Sequence, residues 1–220
     1  MTESRLPTRD AAYFEKLYAA NPDPWNFVAS AYEQEKYAAT LTMLGGRRFV
    51  RGLEAGCSIG VLTKALAELC EQLLAVDIVE QAVAQAKARC AKAPHVAFEC
   101  MQVPQSWPVG QFDLIVLSEI LYFLHPEDIA RTAALANASL MEGGVILLVN
   151  YTEDIKEPCS GREAAEIFER AFSSGFNCTE HLLSKSFRID LLMKGHSEGQ
   201  TGQNSMIRSR LGLHAPAWSA

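Results

Sequence analysis

Two acids and two glycines, read together with their spacing, carry the clearest chemistry in the sequence. Glu54 closes the short apolar run Phe49 to Ala55. The chain then turns through Gly56, Cys57, Ser58, Ile59 and Gly60 into Val61 to Cys70, where apolar residues recur at helical intervals. Missing side chains at Gly56 and Gly60 let a ligand approach the backbone, beside the unpaired amides that open the helix. Asp77, 23 residues beyond Glu54, ends the next apolar run and is placed to accept both hydroxyls of a ribose. Starting from Gly56, a dinucleotide fingerprint needs further glycines where this chain has Ser58 and Val61, which weakens NAD. A phosphate loop needs Gly-Lys-Ser or Gly-Lys-Thr, and Val61 follows Gly60, which weakens ATP. Glu54 itself repels phosphate and favours a cation. The bland alternative is a glycine turn that only joins a strand to a helix.

A ribose beside a positive charge, without a pyrophosphate, describes S-adenosylmethionine. Glu54 to Gly60 with Asp77 resembles the cofactor motif of class I methyltransferases, with Ser58 where the commonest pattern has glycine. The expected cofactor contacts here are Glu54, Ala55, Gly56, Cys57, Gly60, Asp77 and Ile78. Ligands in open α/β sheets bind beyond the carboxyl ends of the strands, so the next two strand ends face the same crevice. Met101 and Gln102 are placed to pack on and hydrogen-bond an adenine, with a solvated loop as the competing reading. Ser118 is a further cofactor contact, and Glu119 is the catalytic candidate. A carboxylate there can hold an amine and take or relay its proton, whereas the competing reading has it cap the following turn.

The elements that position these residues follow from periodicity. Strands are expected at Phe49 to Ala55, Gln72 to Asp77, Val96 to Cys100, Asp113 to Leu117 and Gly144 to Asn150, with helices at Val61 to Cys70, Gln81 to Lys92 and Pro126 to Leu140 between them. Leu114 to Leu117 and Val145 to Val149 are apolar without alternation, as buried central strands are. A helix at Arg162 to Phe172 and a terminal strand pair, Cys178 to Phe187 with Arg188 to Met193, complete an α/β fold. Its seven-stranded, mostly parallel sheet carries helices on both faces. Ahead of it, Tyr13 to Gly46 reads as two aromatic-rich helices broken at Pro22, Pro24 and Trp25. The expected division is an N-terminal helical cap over 1–46, a core over 47–194, and from Gly195 a mobile tail over 195–220 too poor in large apolar residues to order.

The cap carries a second resemblance. Asp23-Pro24-Trp25-Asn26-Phe27, Ser30 to Tyr37 and Leu117-Ser118-Glu119-Ile120-Leu121-Tyr122-Phe123-Leu124 closely resemble the NodS family of nodulation S-adenosylmethionine-dependent N-methyltransferases, over about Asp23 to Met193. The resemblance implies a Rossmann-like class I methyltransferase fold. It also implies methylation of the free amine on the non-reducing terminal glucosamine of a deacetylated chitooligosaccharide, leaving S-adenosylhomocysteine. Trp25 and Tyr32 are expected to close over the cofactor, and Tyr37, Tyr122, Asn150 and Tyr151 to lie near the acceptor, as rings with hydroxyls suit sugars. Aromatics at helical spacing are otherwise ordinary core.

Composition narrows the remainder. Twenty-six acidic against twenty basic side chains leave a net charge of −6, which disfavours nucleic acid. No apolar run approaches the roughly 18 residues of a membrane span, and the polar Met1 to Asp10 reads as leaderless and the protein as cytoplasmic. Six cysteines without a CxxC pair, and single histidines at 95, 125 and 181, suggest buried thiols and no metal site. Oligomeric state is left open. Competing functions are a methyltransferase for a small amine, carboxylate or phenol, a nucleoside-binding regulatory protein without turnover, and an NAD-dependent oxidoreductase.

Overall fold

The computed structural model describes residues 5–172 and 176–195. The tail expected over 195–220 lies, from residue 196 on, outside the described residues, as does the side chain of Cys178. Two helices, α1 (Ala11–Ala20) and α2 (Ala31–Met43), precede the strands and helices β1 (Phe49–Ala55), α3 (Val61–Leu66), β2 (Cys70–Asp77), α4 (Glu80–Arg89), β3 (Val96–Cys100) and β4 (Phe112–Ser118). A short 3-10 turn at Leu121–Phe123 leads to α5 (Pro126–Ser139), β5 (Leu140–Tyr151), α6 (Gly161–Ala171), β6 (Phe176–Leu183) and β7 (Phe187–Lys194).

The sheet order is β3-β2-β1-β4-β5-β7-β6. The pairs from β3 to β5 are parallel, whereas β7 runs antiparallel to both β5 and β6. The apolar runs of β4 and β5 lie in the middle, fully buried, and their alternate residues feed two separate cores. Ile115, Leu117, Ile146 and Leu148 pack with Ile129, Ala133 and Phe168 of α5 and α6, while Leu114, Val116, Leu147 and Val149 pack with Leu62 and Leu66 of α3. Burying both faces explains why these strands do not alternate in hydropathy. The strand order reverses between β1 and β4, which opens a crevice beyond their carboxyl ends, where residues 54–60 and 118–122 emerge.

Element starts are set by chemistry at the caps. Asp10 accepts from Tyr13 N, Ser30 from Glu33 N and Ser160 from Glu163 N, and Pro126 occupies the first turn of α5, where no amide is needed. Several boundaries differ from those expected, and α4 for one ends at Arg89 rather than Lys92. The helix α3 stops at Leu66 rather than Cys70, because Leu69 O accepts the amide of Phe49 and Cys70 pairs with Phe49 in the ladder. The strand β5 begins at Leu140 rather than Gly144: Leu140 pairs with Phe112 across a bulge, and the strand runs on through the glycines. A Cβ on Gly144 would lie 2.9 Å from Met141 O. The first terminal strand, expected over Cys178 to Phe187, starts and stops earlier, at Phe176–Leu183, and the second, expected over Arg188 to Met193, is one residue longer at each end, at Phe187–Lys194, with Ser184 N donating to Phe187 O between them. Among the described residues, no helix is long and apolar enough to cross a membrane.

Candidate functional site

The turn after β1 is built around positive backbone angles at Gly56, Ser58 and Gly60 (φ 84°, 48° and 79°). Gly56 N and Cys57 N both donate to Val76 O, which locks the turn to the end of β2. A Cβ on Gly56 would lie 2.2 Å from Ile120 Cγ2, so this position must lack a side chain. Gly60 does not serve ligand approach as expected: it does not line the crevice, and an added Cβ would lie 2.8 Å from Cα and Cβ of Ala86. Its job is to let α3 pack on α4. Ser58 holds the left-handed conformation that glycine ordinarily takes, and uses its extra atoms. Its hydroxyl lies 2.5 Å from Tyr18 Oη, tying α1 to the turn, and its amide donates to Asp77 Oδ2 at 2.8 Å.

Asp77 is buried, with Val79 N donating to Oδ1 at 3.0 Å and Ser58 N to Oδ2 at 2.8 Å. Burial pushes its carboxyl up, and the backbone amides pull against that. Two amides use one lone pair on each oxygen and leave others to accept from a ligand. Glu54 is buried beside it: burial pushes it up to about 7 against the downward pull of the neighbouring Thr63 hydroxyl, and its Oε2 makes no well-formed hydrogen bond among the described residues. An unsatisfied buried carboxyl oxygen is costly unless a ligand's donor reaches it.

These groups line one cavity of about 420 Å³. Five carboxylates in its wall, Glu33, Glu54, Asp77, Glu119 and Glu157, face two cationic side chains, Arg9 and Lys36, an excess of negative charge that suits a cationic ligand. The N-terminal segment closes one side. Arg9 Nε pairs with Glu157 at 2.6 Å, Tyr13 Oη donates to the same carboxylate at 2.9 Å, and Arg9 N donates to Phe123 O. Phe14 packs edge-on against Phe123, and Tyr18 against Trp25.

The opposite side is organised by Glu119, itself in the left-handed region at φ 60°. Its Oε2 accepts from Tyr122 Oη at 2.6 Å and from Tyr151 N at 3.2 Å. Lys36 Nζ lies 3.0 Å from its Oε1 and 2.9 Å from Glu33 Oε1, with only 2% of the lysine side chain exposed. Oε1 is buried against Lys36 and, although charge-paired, makes no hydrogen bond among the described residues, while the Glu119 side chain as a whole lines the cavity. Tyr32 packs edge-on against Tyr151 and Phe187 and donates to Ser186 O at 3.3 Å. Burial, with Glu119 next, pushes the hydroxyls of Tyr32 and Tyr122 above their ordinary range.

Of the residues expected at the site, Trp25, Tyr32, Tyr37, Glu54, Gly56, Cys57, Asp77, Ile78, Met101, Ser118, Glu119, Tyr122 and Tyr151 line this cavity. Ala55 is closed into the core beneath it, and Gln102 shows only its carbonyl at work, accepting Ser106 N. Asn150 is fully buried on the face of β5 opposite to Tyr151, since neighbours on a strand point to opposite sides, and so lies away from the acceptor side. Sequence reasoning missed Lys36, Glu33, Tyr18, Arg9 and Glu157. The i, i+3 spacing of Glu33 and Lys36 was visible but reads as an exposed helix pair, and the other three are brought in by contacts forty or more residues apart in sequence. Away from the cavity, Glu169, His181 and Asp190 come within ligating reach of one another, and the Arg188 guanidinium already bonds both carboxylates, at 2.5 and 2.7 Å, in the place a metal would take.

Comparison with known proteins gives a consistent picture. The model of the NodS family, nodulation protein S, matches residues 10–152. Nodulation protein S of Bradyrhizobium diazoefficiens is 40% identical over 105 residues, which cover 46% of this chain and 49% of that protein. That of Sinorhizobium fredii is 36% identical over 115 residues, covering 52% and 53%. Each match therefore spans about half the length of the relative. The crystal structure of N-methyltransferase NodS from Bradyrhizobium japonicum WM9 in complex with S-adenosylhomocysteine superposes with a TM-score of 0.72 at 20% identity, over 86% of this chain and all of that one, and establishes the class I methyltransferase Rossmann-like fold.

Proposed function

The chain belongs to the NodS family, and on that premise we propose that it is an S-adenosylmethionine-dependent N-methyltransferase. Its acceptor, in this reading, is the free amine of the non-reducing terminal glucosamine of a deacetylated chitooligosaccharide, in the synthesis of nodulation factors. The observation that carries the cofactor reading is the pairing of Asp77, held by two backbone amides with lone pairs left over, with the unpartnered Oε2 of Glu54 in the same acidic cavity. Asp77 accepts the ribose hydroxyls, Glu54 takes the ammonium of the methionine part, and Met101 and Ile78 pack on the adenine. Bound there, S-adenosylmethionine supplies a methyl group activated on a sulfonium.

The chain's own part is alignment and electrostatics. The Glu119 carboxylate in the cavity wall accepts an N–H of the acceptor amine and orients its lone pair, while Tyr122 and the Tyr151 amide hold Oε2 still. Tyr32 and Tyr37 wall the acceptor side and exclude water, and Trp25, packed on Tyr18, closes over the cofactor. A cavity of about 420 Å³ is in the range that encloses one drug-sized ligand, so the cofactor fills most of it and only the end of an oligosaccharide enters, which favours the terminal amine. The segment 1–46 acts as the cap, with Tyr18 and Arg9 as its anchors, and 47–194 as the core. The net charge of −6 argues against nucleic acid as a partner, and we place the reaction in the cytoplasm. The same volume keeps a smaller amine open as the acceptor. Calorimetry with S-adenosylhomocysteine, followed by mass spectrometry of a deacetylated chitin oligomer incubated with S-adenosylmethionine, tests both halves. Gain of one methyl mass is expected. Failure to bind the nucleoside refutes the cofactor assignment, and methylation of small amines but not of the oligomer refutes the sugar.

A further inference from the structure

We propose that Lys36 is a positioning residue that makes this site select its acceptor amine in the neutral form, by balancing the charge of Glu119 from within the cavity wall. The proposal rests on the N-methyltransferase reading above and adds to it what decides the protonation state of the acceptor.

A lysine is seldom buried unless its charge is compensated. Here the ammonium lies between two carboxylates, 2.9 Å from Glu33 and 3.0 Å from Glu119, both in the wall where the acceptor enters. From its own helix it also faces the rings of Tyr32 and Tyr37, at 5.0 and 5.9 Å. From the loop after β4 it faces Glu119, whose other oxygen holds Tyr122, and Glu54 of β1 and Tyr151 of β5 line the same cavity. Without Lys36, Glu33 and Glu119 would stand uncompensated and would hold an ammonium, which has no lone pair with which to attack. With Lys36 in place one of those two negative charges is offset, and the hold on an ammonium weakens. The Glu119 carboxylate in the cavity wall still accepts one N–H, and a neutral amine offers both that N–H and its own lone pair. As the N–C bond forms and the C–S bond breaks, the positive charge passes from sulfur to nitrogen, and the methylated ammonium sheds its proton to solvent.

The test compares the wild type with Lys36→Gln, Glu33→Gln and the double variant Lys36→Gln/Glu119→Gln. A deacetylated chitin oligomer, with a panel of small amines as a second probe, is titrated by calorimetry into protein saturated with S-adenosylhomocysteine. The titrations are run at about pH 6 and about pH 9, either side of an amine's titration. The pH profile of kcat, which reports ionisations in the enzyme–substrate complex, is recorded in parallel. Wild type is expected to bind the amine more tightly at the higher pH. Lys36→Gln should move that preference toward the lower pH by about tenfold, ~1.4 kcal/mol, and raise the midpoint of the kcat profile by about one unit. The double variant should bring both back. A uniform fall in kcat with the midpoint unmoved, or a double variant that fails to restore it, overturns the proposal. Should Lys36→Gln not fold, as judged by its thermal melt, Glu33→Gln shifts the balance in the opposite sense and should lower the midpoint. An unmoved midpoint there overturns the proposal too. A wild type that binds amines with the expected pH preference but transfers no methyl group refutes the N-methyltransferase reading while leaving the role of Lys36 supported.

Discussion

Glu54→Gln isolates the energetic consequence of burying an acid at the cofactor site. Burial pushes the Glu54 carboxyl from its ordinary 4.5 up to about 7 in the folded protein. Below about pH 4.5 both the folded and the unfolded chain carry the proton. Between 4.5 and 7 the unfolded chain loses it and the folded chain keeps it, so stability falls as pH rises through that window. At about 1.4 kcal/mol per pH unit, the gap amounts to about 3 kcal/mol by neutral pH. Glutamine keeps the shape and cannot ionise. The expected result is that Glu54→Gln is more stable than wild type at pH 7 by up to ~3 kcal/mol, with the difference vanishing toward pH 4.5. Chemical denaturation of both proteins across this window, without ligand, measures it, and subtracting the curves removes Asp77 and Glu33, which burial also pushes up. The ligand side runs in the opposite direction. An ammonium brought to Oε2 favours the ionised carboxyl, so S-adenosylhomocysteine binding to wild type near pH 6 should release a proton, seen as calorimetric heats that follow the buffer's ionisation enthalpy. In Glu54→Gln that release should be absent and affinity lower. Parallel stability curves, or a proton release that survives the substitution, would refute the reasoning.

Three further outcomes are expected. Asp77→Asn turns one amide-accepting oxygen into a donor facing Ser58 N or Val79 N and removes charge from the hydroxyl acceptors, so S-adenosylhomocysteine affinity should drop by ~2–4 kcal/mol, and a calorimetric change under about threefold would count against the ribose assignment. Gly56→Ala places a Cβ 2.2 Å from Ile120 Cγ2 at a φ of 84°, and should destabilise the fold by ~1–3 kcal/mol in urea melts as well as weaken ligand binding, whereas a neutral effect would show that the turn shifts freely. Tyr18→Phe keeps the ring against Trp25 but loses the bond to Ser58, with an expected loss of ~1 kcal/mol and a weaker hold of α1 on the turn, read as faster amide exchange in α1, and unaltered exchange would contradict that anchoring role.

Much of the architecture was legible because it rests on local pattern. Leu114 to Leu117 and Val145 to Val149 announce central strands by being apolar on both faces, and the acids and glycine at 54, 56 and 77 stand at strand ends that the fold itself brings to one crevice. Boundaries slipped where a distant partner decides them: Cys70 reads as the end of a helix until its pairing with Phe49 is known, and so does Leu140 until it pairs with Phe112. Within the site, Gly56 and Gly60 look alike in sequence, yet one faces Ile120 at the crevice and the other Ala86 of a packed helix. Asn150 looked as well placed as Tyr151, and strand alternation turned it into the core.

What the sequence by itself determined is the strand and helix periodicity, the tight turn at Gly56, and the acids at the ends of β1 and β2, because these follow from side-chain volume, backbone freedom and spacing along one stretch of chain. Only the tertiary structure decided that Glu33 and Lys36 are interior rather than solvated, that Glu119 is held by Tyr122, Tyr151 and Lys36, and that Arg9 and Tyr18 close the cavity. The physical reason is that the state of a charge depends on what displaces its water, and the groups that do so here arrive from segments far apart in the chain.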